Sequence, residues 1–237
     1  MNPSKGCILC GDELVYTNDL SGLNCHFCGK DAVNQQSCVN GHYICPSCEK
    51  APVEELTMTY CLTTASTDPI AIAMDLMNHP HFSLHGAEHH FLVPAALLTA
   101  FYNFKGQPGM KKTALDAAYE RSKGIPYGFC AMNGTCGAAV GTGTFISIIT
   151  TASPLSGKEW QLSNMMTARS LDRIARSGGP RCCKRDSFIA FVTAVEFMDE
   201  LLGVRLTNST RINCPFHASN RECSREECIF YPDKKGE

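Results

Sequence analysis

Hydrophobic positions fall into two regimes along this chain. From about residue 66 onward apolar side chains recur at helical spacing, whereas the first fifty residues hold few large apolar side chains and show no such period. Ser66-Thr67-Asp68-Pro69 is an N-cap cluster with proline at the first helical position, followed by Ile70, Ile72, Ala73, Leu76 and Met77 at helical spacing. Residues 92–104 and 113–123 give two more helices, the second starting at Thr113 and stopping at Gly124. Cys136 to Thr151 is apolar and glycine-rich and reads as a buried helix. Ser156-x-x-Glu159 has the form of a capping box opening a helix through about Ser177. Asp186 or Ser187 opens the last long helix, which ends near Gly203. Strand signals are weak outside the N-terminal stretch. The expected fold is mainly α: a small zinc-ribbon-like module with short β hairpins and two metal sites (1–52), a linker (53–65), an α-helical domain (66–205) and a Cys-rich tail (206–237).

Composition alters this picture at one point. The chain is 44% hydrophobic and 19% charged with a formal charge of −2, so no basic excess points to nucleic acid or an anionic membrane surface. Its fifteen cysteines, though, are roughly four times the usual number for this length. The N-terminal stretch has no apolar core of signal-peptide length, and no segment approaches the ~18 apolar residues of a membrane span. The expectation is therefore a reducing cytoplasm, with the cysteines as ligands and nucleophiles rather than disulfides.

In the first fifty residues, Cys7-x2-Cys10 and Cys25-x2-Cys28 have zinc-ribbon spacing, each turn aiming two thiolates at one ion. Cys38-x3-His42-x2-Cys45-x2-Cys48 supplies four further ligands. Eight ligands suit two zinc ions, paired in sequence or crossed. With every position filled by protein, such ions fold the module, and a partner protein can dock on it. Lys5, Lys30 and Lys50 are too few, and without aromatic neighbours, to support nucleic-acid binding.

The helical domain carries four further candidates. His79-Pro-His81 precedes His85-Gly-Ala-Glu88-His89-His90; on a helix His85 and His89 would be i, i+4 neighbours, with Glu88 between them in the pattern of inverted zinc proteases. Cys130 and Cys136 bracket the start of the glycine-rich helix, where Cys136 would meet free N–H groups and Gly137, Gly141 and Gly143 would let a backbone or cofactor approach. Arg181-Cys182-Cys183-Lys184-Arg185 sets two thiols among three cations, a setting that lowers thiol pKa and implies an anionic neighbour. Finally Cys214, His217, Cys223 and Cys228 fit a third zinc, three ligands of an Fe–S cluster, or a clip for the tail.

The paired-cysteine head together with MNHPHFSLHGAEHHFLVPAALL, CGAAVGTGTF and GGPRCCKRDSF resembles an uncharacterised family, domain of unknown function 5714. The resemblance implies a setting in anaerobic bacteria and methanogenic archaea, where some members are joined to methyltransferase or radical-enzyme domains, and so favours an oxygen-sensitive cluster. Around Cys136 the chain is also similar to a family of putative redox proteins with a Gly-Cys-Ala-x-x-Gly motif, although the order here is Cys136-Gly-Ala-Ala-x-Gly.

These readings converge on a metalloprotein that binds a cluster, read as [4Fe–4S], or uses reactive thiols for redox or sulfur-transfer chemistry on a small anionic or sulfur-containing substrate. Cys130, Cys136, Cys182, Cys183, Cys214, Cys223 and Cys228 are the candidate cluster ligands or thiols. His85, Glu88 and His89 would be acid–base groups or additional ligands, with Arg181 and Arg185 as anion stabilisers. The alternatives are a zinc-binding accessory protein for a partner enzyme, such as a methyltransferase, and a zinc hydrolase built on His85, Glu88 and His89.

Overall fold

The computed structural model describes residues 6–16, 22–32, 35–207 and 211–232. A two-stranded antiparallel hairpin, β1 (Leu14–Tyr16) with β2 (Gln36–Cys38), sets Leu14 opposite Cys38. Nine α-helices follow among the described residues, and the architecture is mainly α with a small N-terminal hairpin module, as the apolar pattern predicts.

The body is built around α4 (Glu88–Phe104), whose apolar residues encircle it and are almost all buried. Its neighbours are α2 (Val53–Thr63), α3 (Pro69–Met77), α5 (Lys111–Ser122), α7 (Gly137–Ile149) and α9 (Cys183–Leu202). The amphipathic α8 (Lys158–Arg176) lies on α7 and α9 and buries Leu162, Met166, Ser170 and Ile174. Pro94 sits inside α4 and cannot donate to the His90 carbonyl; the Ser122 hydroxyl of α5 donates there instead, at 3.2 Å. Two short helices, α1 (Pro46–Lys50) and α6 (Phe129–Met132), complete the set. No helix among the described residues is long and apolar enough to cross a membrane.

Helix ends follow the local chemistry in part. Asp68 caps α3, accepting from the amides of Ile70 and Ala71, and Gly203 ends α9 in the left-handed conformation. The capping box at Ser156 does not form: its hydroxyl accepts from the Ser153 amide at 3.0 Å, and Gly157 precedes α8. Helix α9 begins at Cys183, earlier than Asp186 or Ser187, because Cys182 takes the extended cap position and its carbonyl accepts from the Asp186 amide at 2.8 Å.

The stretch expected as a linker, 53–65, is mostly helix. Its threonines weaken the local helical signal, and packing of Leu56, Tyr60 and Cys61 against the body decides the conformation. The N-terminal module joins the body through this helix. Phe27, between Cys25 and Cys28, is fully buried and meets Tyr60 and His79 edge-on with ring centroids 5.4 and 5.7 Å apart. Beside it His26 stacks on Tyr60 and bonds Asp75 at 3.0 Å, and the Tyr60 hydroxyl donates to the same carboxylate. One apolar core thus runs from Cys25 and Phe27 to Phe230 in the tail.

Candidate metal centres and cysteine sites

The eight ligands of the N-terminal module gather into two groups, and the pairing is crossed. Cys7 and Cys10 meet Cys38 and His42, while Cys25 and Cys28 meet Cys45 and Cys48; within each group all ligand atoms lie within 4.8 Å of one another. Cys10 Sγ is 3.4 Å from Cys38 Sγ, Cys7 Sγ is 3.6 Å from His42 Nδ1, and Cys28 Sγ is 3.8 Å from Cys45 Sγ. Tight turns create these approaches, with Gly11, Gly29 and Gly41 at positive φ just beyond ligand turns. Backbone amides point at the sulfurs: Cys45 N to Cys25 at 3.3 Å and Asn40 N to Cys38 at 3.4 Å. Each group can hold one metal ion, and the second is mostly buried.

The histidine strip does not form the expected pair. Helix α4 starts at Glu88, so His85 lies in the preceding loop and the i, i+4 relation to His89 is lost. The Glu88 carboxylate accepts from the Ser83 amide at 3.0 Å. His89 is buried and donates from Nδ1 to the Gly86 carbonyl at 3.1 Å, while His85 turns to the tail, with Nε2 3.2 Å from Asn220 Oδ1. Among the described residues these three do not assemble into a metal-holding group, which removes the geometric basis of the hydrolase reading. Burial holds the His89 imidazole well below its usual pKa.

At the start of α9 the three expected cations have different fates. Arg181 lies over the Tyr127 ring and bonds the Tyr127 hydroxyl. Arg185 is buried, paired with Asp186 at 3.1 Å and donating to the Gly178 carbonyl at 2.8 Å. Among the described residues Lys184 Nζ has no hydrogen-bond partner; it sits between the rings of Phe82 and Phe216, 4.6 Å from each centroid, and burial pulls its pKa down to about 8. The cysteines are not activated as expected. Burial outweighs the cations and pushes Cys183 up to about 11, and Cys182 upward as well.

The glycine face of α7 is also not what its composition suggested. A Cβ on Gly141 would lie 2.8 Å from Pro94 Cδ of α4, and one on Gly143 would lie 1.9 Å from Thr167 Oγ1 and 2.8 Å from the Ser163 carbonyl of α8. Helices fill this face, leaving no room for a cofactor there. Cys136 precedes α7 and burial pushes it up to about 12, against the expectation of a helix-stabilised thiolate. With Cys130, Arg181, Arg185 and Asp186 it lines an open pocket of about 320 Å³.

The tail folds back onto the start of α9. Cys214 N donates to the Phe230 carbonyl at 2.8 Å, and the Phe230 ring meets Phe188 at 5.5 Å. Cys214, Cys223 and Cys228 thereby line a small cavity together with Cys182, Lys184 and Arg185. The expected cluster ligands are therefore split: Cys182 faces the tail, Cys130 and Cys136 face the open pocket, and Arg185 touches both. Sequence reading missed Asn220, which links His85 to Cys182 (Nδ2 to Sγ 3.6 Å); nothing in a lone asparagine of a polar tail signals that role.

Fold and sites together define a mainly helical, cysteine-rich protein with two candidate metal centres in an N-terminal module. The chain belongs to the family described as Family of unknown function (DUF5714), which matches residues 57–231. The match covers the helical body and the tail cysteines, and it begins after the eight ligands of the module. Comparisons with curated proteins and with solved structures give no significant match.

Proposed function

We propose that the chain is a metalloprotein whose N-terminal module is folded by two zinc ions and whose helical body carries redox or sulfur-transfer chemistry on its cysteines, as cluster ligands or as thiols. The observation that carries this reading is the convergence of Cys130, Cys136, Cys182, Cys214, Cys223 and Cys228 on two adjoining recesses joined by Arg185. Zinc suits the module because tetrahedral Zn–S bonds of about 2.3 Å place sulfurs about 3.8 Å apart, and the sulfur–sulfur approaches of 3.4 and 3.8 Å lie close to that spacing. All four positions at each ion are protein ligands, so these ions shape the module and leave the chemistry to the body. In the open pocket Arg181 supplies positive charge for a small anionic or sulfur-containing substrate. Fifteen free thiols suit a reducing compartment such as the cytoplasm.

A second reading, an accessory protein that docks a partner enzyme through the module, draws on Tyr16 and Val39, which leave large apolar surfaces exposed near the hairpin. Anaerobic purification with metal analysis, a visible spectrum and thiol alkylation separates the two. Iron with a broad visible band, or rapid reversible oxidation of thiols in the body, supports redox chemistry. Zinc alone at two ions per chain, with inert thiols in the body, sinks it and leaves the accessory role.

A further inference from the structure

We infer that Cys182, Cys214, Cys223 and Cys228 form the four-thiolate cage of a [4Fe–4S] cluster at the junction of α9 and the tail, with Lys184 as its buried counter-cation. This deepens the redox reading by assigning one of its two forms to a defined ligand set, which leaves Cys130, Cys136 and Cys183 outside the cage.

Three observations carry the assignment. The first is convergence: Cys182 at the α9 cap and three cysteines of the tail line one cavity. The second is Lys184, which lines the same cavity with its ammonium buried and, among the described residues, without a hydrogen-bond partner. A desolvated cation without an anion is costly, and aromatic faces on two sides offset only part of that cost. A cluster ligated by thiolates, Cys182 among them, places negative charge beside that ammonium in the cavity both line.

The third is spacing. In the module every ligand atom of a group lies within 4.8 Å of the others, whereas no three of the four cage sulfurs meet that limit. A single zinc needs sulfurs about 3.8 Å apart; in a cluster each thiolate binds a separate iron and the ligands stand further apart. Amide donors already aim at these sulfurs: Asn220 Nδ2 at Cys182, and the Arg225 amide at Cys223 at 3.3 Å. Such N–H···S contacts tune bound clusters. The enclosed space is about 20 Å³, little more than one water site. Seating a cluster therefore moves the tail outward, on the side where its segment from Arg225 to Glu227 is exposed.

The test is anaerobic reconstitution of the full chain with ferrous iron and sulfide. Expected are about four irons and four sulfides per chain, with a visible band that bleaches on reduction. Cys214→Ser and Cys228→Ser should lose most of the iron while retaining two zinc ions and full helix content. Cys130→Ser and Cys136→Ser should load normally. Lys184→Met should keep the cluster and lower its midpoint potential, because a buried cation favours the more negative reduced state. Peptide mapping after alkylation needs no variant: loading should protect Cys182, Cys214, Cys223 and Cys228 and leave Cys130 reactive. Protection of Cys130, Cys136 and Cys183 instead would overturn the cage but leave the redox reading standing. A third zinc bound by the four tail-facing thiols would overturn the cage as well. Failure to bind any iron, with reactive thiols in the body, would select the thiol form, and inert thiols besides would remove both.

Discussion

In the N-terminal module, tight ligand turns bring eight side chains to within bonding range of two ions, and the backbone amides around them already face sulfur. At the other end of the chain, Cys182 depends on a helix cap for its position and the tail cysteines on a return of the chain across α9. The first region is set by local ligand turns, brought together by the β1–β2 hairpin and anchored in the core by Phe27. The second is assembled by long-range packing around a small cavity, with a buried lysine at its wall that has no hydrogen-bond partner among the described residues. On the proposed reading this contrast separates ligands that fold a protein from ligands of a cofactor, and the following changes are chosen to break or sharpen it.

Cys45→Ser should have the largest effect. Metal binding in such modules is worth about 10–16 kcal/mol, and Cys45 belongs to the more buried group. Because the core is continuous with the body, thermal unfolding followed by circular dichroism should show one transition at a much lower temperature. An unchanged transition of the helices would mean that the module is an independent appendage. Cys214→Ser in the metal-free tail site should by comparison barely move the transition.

Phe27→Ala should cost about 3–5 kcal/mol, the usual result of emptying a buried aromatic site, while both metal ions stay bound. Urea titration with zinc analysis checks this; loss of zinc with little loss of stability would place Phe27 in the service of the ligands rather than the interface. Gly143→Ala should cost about 1–3 kcal/mol by overpacking, since the new Cβ meets the Ser163 carbonyl as well as Thr167. Metal and cluster content should not change. Unchanged stability with altered cofactor loading would restore the glycine face as a binding surface.

The smallest effect expected is a slope in acid. His89 is held neutral by burial, so its folded pKa lies well below the unfolded value of 6.5. Below about pH 6.5 the unfolded chain binds a proton that the folded chain refuses, and stability falls as the pH drops, by up to about 1.4 kcal/mol per pH unit. His89→Gln should flatten that part of the stability profile measured by urea titration between pH 6.5 and 5. An unchanged slope would assign the acid sensitivity to other groups.

How much of this was legible in the chain depended on range. Cys-x2-Cys spacing encodes a turn, so the eight ligands and the helical periods could be read locally. Crossing of the pairs could not, because it depends on the β1–β2 hairpin bringing Cys38 back beside Cys10. Helix α2 was hidden by threonines whose local preference yields to burial of Leu56 and Tyr60. The cations before α9 read as one electropositive patch, yet Arg185 is paired with Asp186 and bonded to a backbone carbonyl, Arg181 bonds the Tyr127 hydroxyl and keeps its charge, and among the described residues Lys184 has no hydrogen-bond partner. Small residues in α7 suggested access for a ligand, and only the positions of α4 and α8 show that helices occupy the space.

The contrast between a closed module and a cluster-bearing tail is tested most directly by X-ray absorption at the zinc and iron edges of one anaerobically reconstituted sample. The zinc edge should report seven sulfurs and one nitrogen shared between two ions, with Zn–S distances of about 2.3 Å. The iron edge should show sulfur ligands only, together with Fe–Fe scattering. Oxygen ligands at zinc, or iron without Fe–Fe scattering, would contradict it.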